Sequence, residues 1–210
     1  MGDYFMKRRS FVFLLILTTV TFSGCITLGD IIYLASQPRF KAVKDQNKSF
    51  ECNYYSAFPP EGTDWQYYQK DNTLMFLKKY NSYHTLIFGI TPKKLPENLT
   101  TSNDYYIYIK NVLSKNINPE RFKNLDNIVE PNNKFGKLCV KYHIKSEDHQ
   151  IPVQTPKGFL IIEDNAFIFQ HQTHKYTNFE IMCSERYDTD NNDPAVKELF
   201  IKFINKITIK

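Results

Sequence analysis

Residues 193–207, DPAVKELFIKFINKI, carry the most regular hydrophobic pattern in the chain. Asp193 is a favourable N-cap residue, and Pro194 is favoured at the first helical position. The apolar residues that follow recur at intervals of three and four, the period of one helical face: Val196, Leu199, Phe200, Phe203, Ile204 and Ile207. The pattern predicts a terminal helix whose wide apolar face packs across a sheet.

Strand patterns occupy much of the chain before this helix. Seven runs rich in β-branched and aromatic residues lie between turn signals: residues 65–68, 73–79, 83–90, 136–145, 159–162, 166–169 and 179–187. Between the fifth and sixth runs, Glu163-Asp164-Asn165 predicts a hairpin turn. Residues 101–113 predict a helix between the two groups of strands, because Thr101 and Asp104 have the spacing of a capping box. This order of elements favours an α+β fold with a mainly antiparallel sheet flanked by helices.

The first 25 residues, MGDYFMKRRSFVFLLILTTVTFSGC, have the pattern of a secretory signal peptide. A short basic region at 7–9 precedes an apolar run at 11–20, and small residues precede Cys25. The apolar run is shorter than the roughly 20 residues that a membrane-spanning helix needs. We therefore expect residues 1–24 to be a leader that is removed when the protein is exported.

Ser23-Gly24-Cys25 resembles the lipobox of bacterial lipoproteins, although Phe22 stands where that motif usually has Leu. The resemblance implies a diacylglyceryl group on the sulfur of Cys25 and a fatty-acylated new N-terminus, which together anchor a protein stably in a bilayer. It also implies that Ile26, in place of Asp, favours the outer membrane over the inner membrane. The alternative is an ordinary cleaved signal peptide, which would leave the protein soluble in the periplasm.

Residues 25–49 comprise this cysteine and a polar stretch without periodicity, which we interpret as a tether. Residues 50–210 then form a single globular domain, long enough to bury a substantial core. The full chain has a net charge of only +5, and residues 1–24 carry part of it. Such a mild charge argues against nucleic acid as a partner. The expected partners are the membrane, through the lipid, and an unknown envelope protein.

Cys52, Cys139 and Cys183 remain after lipidation of Cys25. An exported compartment permits disulfides, so we expect one disulfide and one spare cysteine among these three. The sequence does not choose the pair, and the spacings match no zinc motif.

His171 and His174 are the strongest metal-ligand candidates, with His143 or His149 as a further ligand for zinc or copper. However, two histidines three residues apart at a strand end do not aim both rings at one point. We therefore expect these side chains to be ordinary polar residues, with no metal and no cofactor.

Two further groups of residues could carry nucleophilic chemistry: Cys139 with Lys141 and His143, and Ser184 with Glu185 and Arg186. Alternation of side chains along a strand explains both groups without catalysis, so we expect no catalytic residue. The aromatic content of 15%, much of it Tyr, suits half-buried sheet positions and could alternatively form a ligand-stacking surface.

The layout of residues 50–210 resembles the PsbP-like fold. The features that carry the resemblance are Pro60-x4-Trp65, the meander ending in Cys183-Ser184-Glu185-Arg186, and the helix from Pro194 to Ile207. The resemblance implies a central antiparallel sheet between helices, an αβα sandwich, and no shared catalytic residues. A resemblance of fold alone does not supply a function.

Together these patterns favour a non-enzymatic, lipid-anchored protein of the bacterial cell envelope, an accessory or interaction domain facing the periplasm. Two alternatives remain open. One is an envelope enzyme or metal-binding protein with a site around His143, His171 and His174, and the other is a small-ligand binder.

Overall fold

The computed structural model describes residues 40–96, 99–115, 118–151, 155–189 and 192–210. The predicted leader, the predicted lipidation site Cys25 and most of the predicted tether lie outside these residues. Within them, no helix has the length and apolar character needed to cross a bilayer.

The described residues form eleven strands and two helices. The helices are α1 (Ser102–Lys115) and α2 (Val196–Asn205). The strands, in chain order, are β1 (Lys41–Ala42), β2 (Phe50–Glu51), β3 (Tyr55–Ala57), β4 (Gln66–Lys70), β5 (Thr73–Lys79), β6 (Thr85–Lys93), β7 (Phe122–Asn132), β8 (Cys139–Asp148), β9 (Leu160–Gln170), β10 (Asn178–Tyr187) and β11 (Ile207–Ile209).

Eight strands form one large sheet in the order β1-β4-β5-β6-β10-β9-β8-β7, and β11-β3-β2 form a smaller sheet. All pairings in both sheets are antiparallel. The predicted α+β class with a mainly antiparallel sheet is therefore confirmed. Long-range pairing through β10 joins the early strands β4–β6 to the late strands β7–β9.

The main core lies on the face of the large sheet that is covered by α2, which we call the front face. Phe203 of α2 packs edge-on against Phe76 of β5, with ring centroids 5.9 Å apart, and stacks on Phe88 of β6 at 5.2 Å. Tyr55 of the smaller sheet packs edge-on against Phe179 of β10 at 5.6 Å. Because side chains alternate along a strand, only every second residue of each strand can join this layer.

Helix α1 packs on the opposite, or back, face of the large sheet. Its buried residues Tyr105 and Ile109 lie outside the front-face cluster. The hydroxyl of Tyr105 donates to Oδ1 of Asn178, a back-face residue of β10, at 3.3 Å. The predicted cap of α1 is confirmed, since the backbone N–H of Asp104 donates to Oγ1 of Thr101 at 3.1 Å.

Two sequence interpretations of strands were wrong. The predicted hairpin turn at Glu163-Asp164-Asn165 is instead the middle of the continuous strand β9, because both of its neighbours, β8 and β10, pair across these residues. Strand β7 was not predicted at all. It is an edge strand, and its register shifts between Asn124 and Asp126. Such a bulge resets the two-residue alternation on which strand prediction depends.

The ends of the chain also differ from expectation. Lys41 and Ala42, inside the stretch interpreted as a tether, pair with β4. Helix α2 begins at Val196 and not at Asp193, whose carboxylate accepts the backbone N–H of Ala195 at 2.9 Å. Ile207, assigned from the sequence to the helix, begins β11 and pairs with β3. At Ile207, pairing with β3 is therefore favoured over continuation of the helix, although the helical period of the sequence includes this residue.

Truncating Phe203 to Ala should lower the free energy of unfolding by about 3–5 kcal/mol, because it leaves a cavity between α2 and the front face. Chemical denaturation measures this difference. The matched control is Ile201→Ala on the same helix, where the side chain is 56% exposed and the change should be below about 1 kcal/mol. Equal losses for the two variants would contradict the packing described for α2.

Candidate functional site

A polar cleft of about 350 Å³ opens on the front face beside the start of α2. It is lined by Lys145, Glu163, Asn165, Glu185, Asn192, Asp193, Pro194, Val196 and Lys197, and we call it the ionisable cleft. Strand register creates it, because Lys145 of β8, Glu163 of β9 and Glu185 of β10 stand in one row across neighbouring strands. The same positions further along these strands carry the apolar core, so the cleft is the polar end of the front face.

Glu163 is the central carboxylate of the ionisable cleft. Its Oε1 lies 3.0 Å from Nε2 of His143, and its Oε2 accepts the hydroxyl of Tyr187 at 3.0 Å and lies 3.5 Å from Nζ of Lys145. Burial acts to raise the pKa of Glu163. The hydrogen bonds from His143 and Tyr187, with the charge of Lys145, outweigh it, and the pKa lies below its ordinary value.

A second carboxylate, Glu185, connects the cleft to the start of α2. Its Oε1 lies 2.8 Å from Nε2 of His84 and also accepts the backbone N–H of Asp193 at 2.8 Å. The ring of Tyr80 stacks on His84 with centroids 4.3 Å apart, and its hydroxyl donates to Asp193 at 3.1 Å. Burial, followed by the hydrogen bond to Asp193, raises the pKa of Tyr80. This network holds Asp193, just before α2, against the large sheet.

The cleft residues do not form a metal centre. Nδ1 of His143 lies 3.4 Å from Asp126 while its Nε2 faces Glu163, so the imidazole bridges two carboxylates that lie on opposite sides of the ring. Metal ligands must instead converge on one point. Across the ranges that the structure describes, no group of three or more His, Cys, Asp or Glu side chains has that arrangement.

The histidines predicted from the sequence are only partly brought together. The rings of His171 and His174 lie 4.9 Å apart, and both pack against Tyr54. His143 is remote from them. It pairs with Asn165 of β9, six residues before His171, which corresponds to about 20 Å along the strand. His149 is exposed and pairs with Glu147, two residues before it, at 3.0 Å.

His171 has a structural role at the end of β9. It is 1% exposed, and its Nδ1 accepts the backbone N–H groups of Thr173 and His174 at 3.3 and 3.2 Å. Burial lowers its pKa, so it favours the neutral ring that can accept these bonds. A metal bound through Nδ1 would have to displace these two hydrogen bonds.

The three cysteines of the described region, Cys52, Cys139 and Cys183, are all free and buried, so the predicted disulfide is not formed. Cys139 and Cys183 lie two strands apart, on β8 and β10, which already separates them by about 10 Å. A disulfide requires Cα atoms within about 7 Å. Cys52 lies just before β3 in the smaller sheet, where its sulfur accepts from Nε2 of Gln69 at 3.6 Å.

Ser184, Glu185 and Arg186 do not form a common site, because alternation divides them between the two faces of β10. Glu185 enters the ionisable cleft, whereas Ser184 and Arg186 point to the back face. There Ser184 is paired in register with Asp164. Burial, together with the charges of Glu180 and Glu163, raises the pKa of Asp164 to about 7, although the hydroxyl of Ser184 acts to lower it.

Neither carboxylate of β9 was predicted from the sequence as a site residue. Glu163 and Asp164 were predicted only as turn residues, because a pair of charged residues between two short apolar runs gives no signal that separates a turn from the centre of a strand. Alternation of apolar residues on either side, Ile162 and Ala166, was the available hint. It could not show which face would be polar.

Comparison with known proteins finds no matching family model and no matching curated protein. Among solved structures, the chain is similar to a point mutant of the protein Mog1 at 10% identity and a TM-score of 0.42, and to the Saccharomyces cerevisiae Ran-binding protein Mog1p at 9% and 0.38. Each match covers 79% of this chain and 96% of the other. A Bacteroides thetaiotaomicron protein matches at 12% identity and 0.36, covering 79% of this chain and 49% of its own.

Asp164→Asn should remove a pH-dependent destabilisation. Because the folded pKa of Asp164 is about 7, against an ordinary pKa of 3.8, the folded state holds this proton more tightly than the unfolded state. The parent protein should therefore lose stability relative to the variant as the pH rises through that window, by at least about 1 kcal/mol. Urea denaturation at both ends of the window measures the gap, and an unchanging gap would contradict the assignment.

Glu163→Gln, one residue away, should behave in the opposite sense. The lowered folded pKa of Glu163 means that its ionised form contributes stability above the unfolded value of 4.5, which is lost as the pH falls through the folded value. At neutral pH the variant should be less stable by about 1 kcal/mol, because charge-assisted hydrogen bonds are lost. The same denaturation series checks this, and the deficit should shrink in acid.

Proposed function

We propose that this chain is a lipid-anchored protein of the bacterial cell envelope, and that its α+β domain acts without catalysis, as an accessory or interaction domain facing the periplasm. The observation that carries the proposal is the run from Lys7 to Cys25, a basic segment, a short apolar segment and Ser23-Gly24-Cys25. Ile26 supports the outer membrane over the inner membrane. The partners proposed are the membrane, through the lipid, and an envelope protein.

The environment of the candidate nucleophiles supports a binding role. Burial raises the pKa of Cys139 to about 11 and raises that of Cys183 above its ordinary range. A thiolate is therefore disfavoured at both positions near neutral pH. His143, which lies four residues from Cys139 along β8, or about 13 Å, is engaged by Glu163 and Asp126.

The finer architecture that we propose is a PsbP-like αβα sandwich. It is supported by the packing of α1 and α2 on opposite faces of the large antiparallel sheet, and by the position of Trp65 directly before β4. The indole of Trp65 is 1% exposed and donates to the carbonyl of Glu61 at 3.0 Å, so it anchors the segment that follows Pro60.

A small-ligand binder is the second candidate. One open cleft of about 410 Å³ is lined by Tyr67, Tyr68, Gln69 and Lys70 of β4 and by Lys41 of β1. Because side chains alternate along β4, Tyr67 lies on the same face as Lys41, and Tyr68 lies on the other face with Lys70. Each pair provides an aromatic and a cationic contact for a small anionic or aromatic compound. Its two tyrosines are part of the aromatic content that could form a ligand-stacking surface.

Cys25→Ser tests the anchor. The variant should lose incorporation of a fatty-acid probe and should leave the membrane fraction, because the acyl chains are attached through this sulfur and the N-terminus that it defines. Metabolic labelling and membrane fractionation measure the two effects. Cys52→Ser is the matched control and should remain labelled. A Cys25→Ser variant that is still labelled would contradict the proposal.

A further inference from the structure

The two edges of the large sheet are very different. One edge is β1, which has only two residues, and the other is β7, which has eleven. In the described ranges, the outer side of β7 pairs with no other strand. Leu125 and Ile128 of this strand are 45% and 49% exposed. A long edge strand with exposed apolar side chains is a template for pairing with another strand.

The position of Pro131 indicates which backbone groups of β7 are available. Proline lacks an N–H, and in edge strands its nitrogen faces solvent. Backbone groups alternate in direction along a strand, so Asn127 and Val129 point their N–H and C=O groups outward as well. The bulge at Leu125 shifts this alternation by one residue, which adds Asn124 to the outward set.

This outward set is self-complementary. If a second β7 runs antiparallel to the first with the two-fold axis at Asn127, then Asn127 faces its own copy and Val129 faces Asn124. Between these pairs, the bulge residue Leu125 of each strand has no residue opposite it. Asp126 of one copy then lies beside Ile128 of the other. Beyond them, Lys123 faces Glu130. Every pair formed in this way joins side chains on the same face, which is the condition for regular antiparallel pairing.

The charges at the ends of this register also match. Lys123 and Glu130 are both front-face residues, because they pair with Glu147 and Lys141 of β8. Their side chains are 66% and 50% exposed. Their present ion pairs with β8 are long, 3.3 and 3.2 Å, and surface pairs of this type contribute little to stability. Two Lys123–Glu130 pairs can therefore form across the axis at small cost.

We propose that β7 is a dimer interface, at which two copies of this chain join their large sheets into one continuous antiparallel sheet. The contact is isologous, since the same strand of both copies forms it, and the assembly is therefore complete with two copies. Main-chain hydrogen bonds at positions 124, 127 and 129 supply the pairing, and the Lys123–Glu130 pairs select the register. The bulge and Pro131 prevent the strand from pairing along its whole length, and so restrict it to this register.

A charge-reversal series on the full-length protein, expressed in bacteria and purified in detergent, tests the proposal. Sedimentation equilibrium in density-matched detergent should give a concentration-dependent dimer mass for the parent chain. Lys123→Glu and Glu130→Lys should each weaken the dimer by about tenfold or more, since each places two pairs of like charges across the axis. The double variant restores opposite charges and should recover the parental dissociation constant to within about threefold.

The control is Lys79→Glu, an exposed charge reversal at the end of β5, a strand that β6, β10, β9 and β8 separate from β7, and it should leave the dimer unchanged. Thermal unfolding of each variant verifies that it is folded, which is expected because both substituted side chains are exposed. A monomeric parent chain at every concentration would overturn the proposal, including the case in which β7 accepts a strand of a different protein. A double variant no better than the single ones would also overturn it.

Discussion

Burial of β10 on both faces governs the rest of the described structure. All ten residues of this strand are buried, and it joins β6 on one side to β9 on the other. Its front-face residues Phe179, Ile181 and Cys183 enter the core beneath the smaller sheet and α2. Its back-face residues are largely polar. Because a central strand cannot turn a polar residue to water, every polar group that it carries requires a partner inside the protein.

Most of these partners are present, and they come from distant parts of the chain. Glu180 pairs with Lys93 at 2.9 Å and accepts the hydroxyl of Tyr142 at 2.8 Å. Arg186 reaches Asp148 at 3.4 Å, and Arg121 binds the same carboxylate at 2.9 Å. Buried charges are tolerated when they are paired in this way, although such pairs add little net stability. Two of these contacts, Tyr142–Glu180 and Asp148–Arg186, connect β8 to β10 across the intervening strand β9.

The polar residues of the front face find their partners in a different way. Its apolar centre is continuous, and its polar residues are collected at one end, in the ionisable cleft. There Glu163 and Glu185 are each held by a histidine and by a second donor. Both carboxylates are therefore held in place by partners within the protein.

Local signals in the amino-acid sequence were sufficient for the elements that depend on neighbours within a few residues. These are the cap of α1, the apolar stripe of α2, and the strand patterns of β5, β6, β8 and β10, all of which were predicted close to their observed positions. The exported, lipid-anchored character is likewise a proposal that depends on residues 1–26 alone. Features that require pairing between distant segments emerged only in the folded chain. Glu163 and Asp164 lie in a strand and not a turn because β8 and β10 hold them on both sides. Likewise, β7 is a strand because β8 pairs with it. Cys139 and Cys183 remain apart because β9 lies between their strands, and His143 remains remote from His171 because it pairs with Asn165, six residues earlier in the chain.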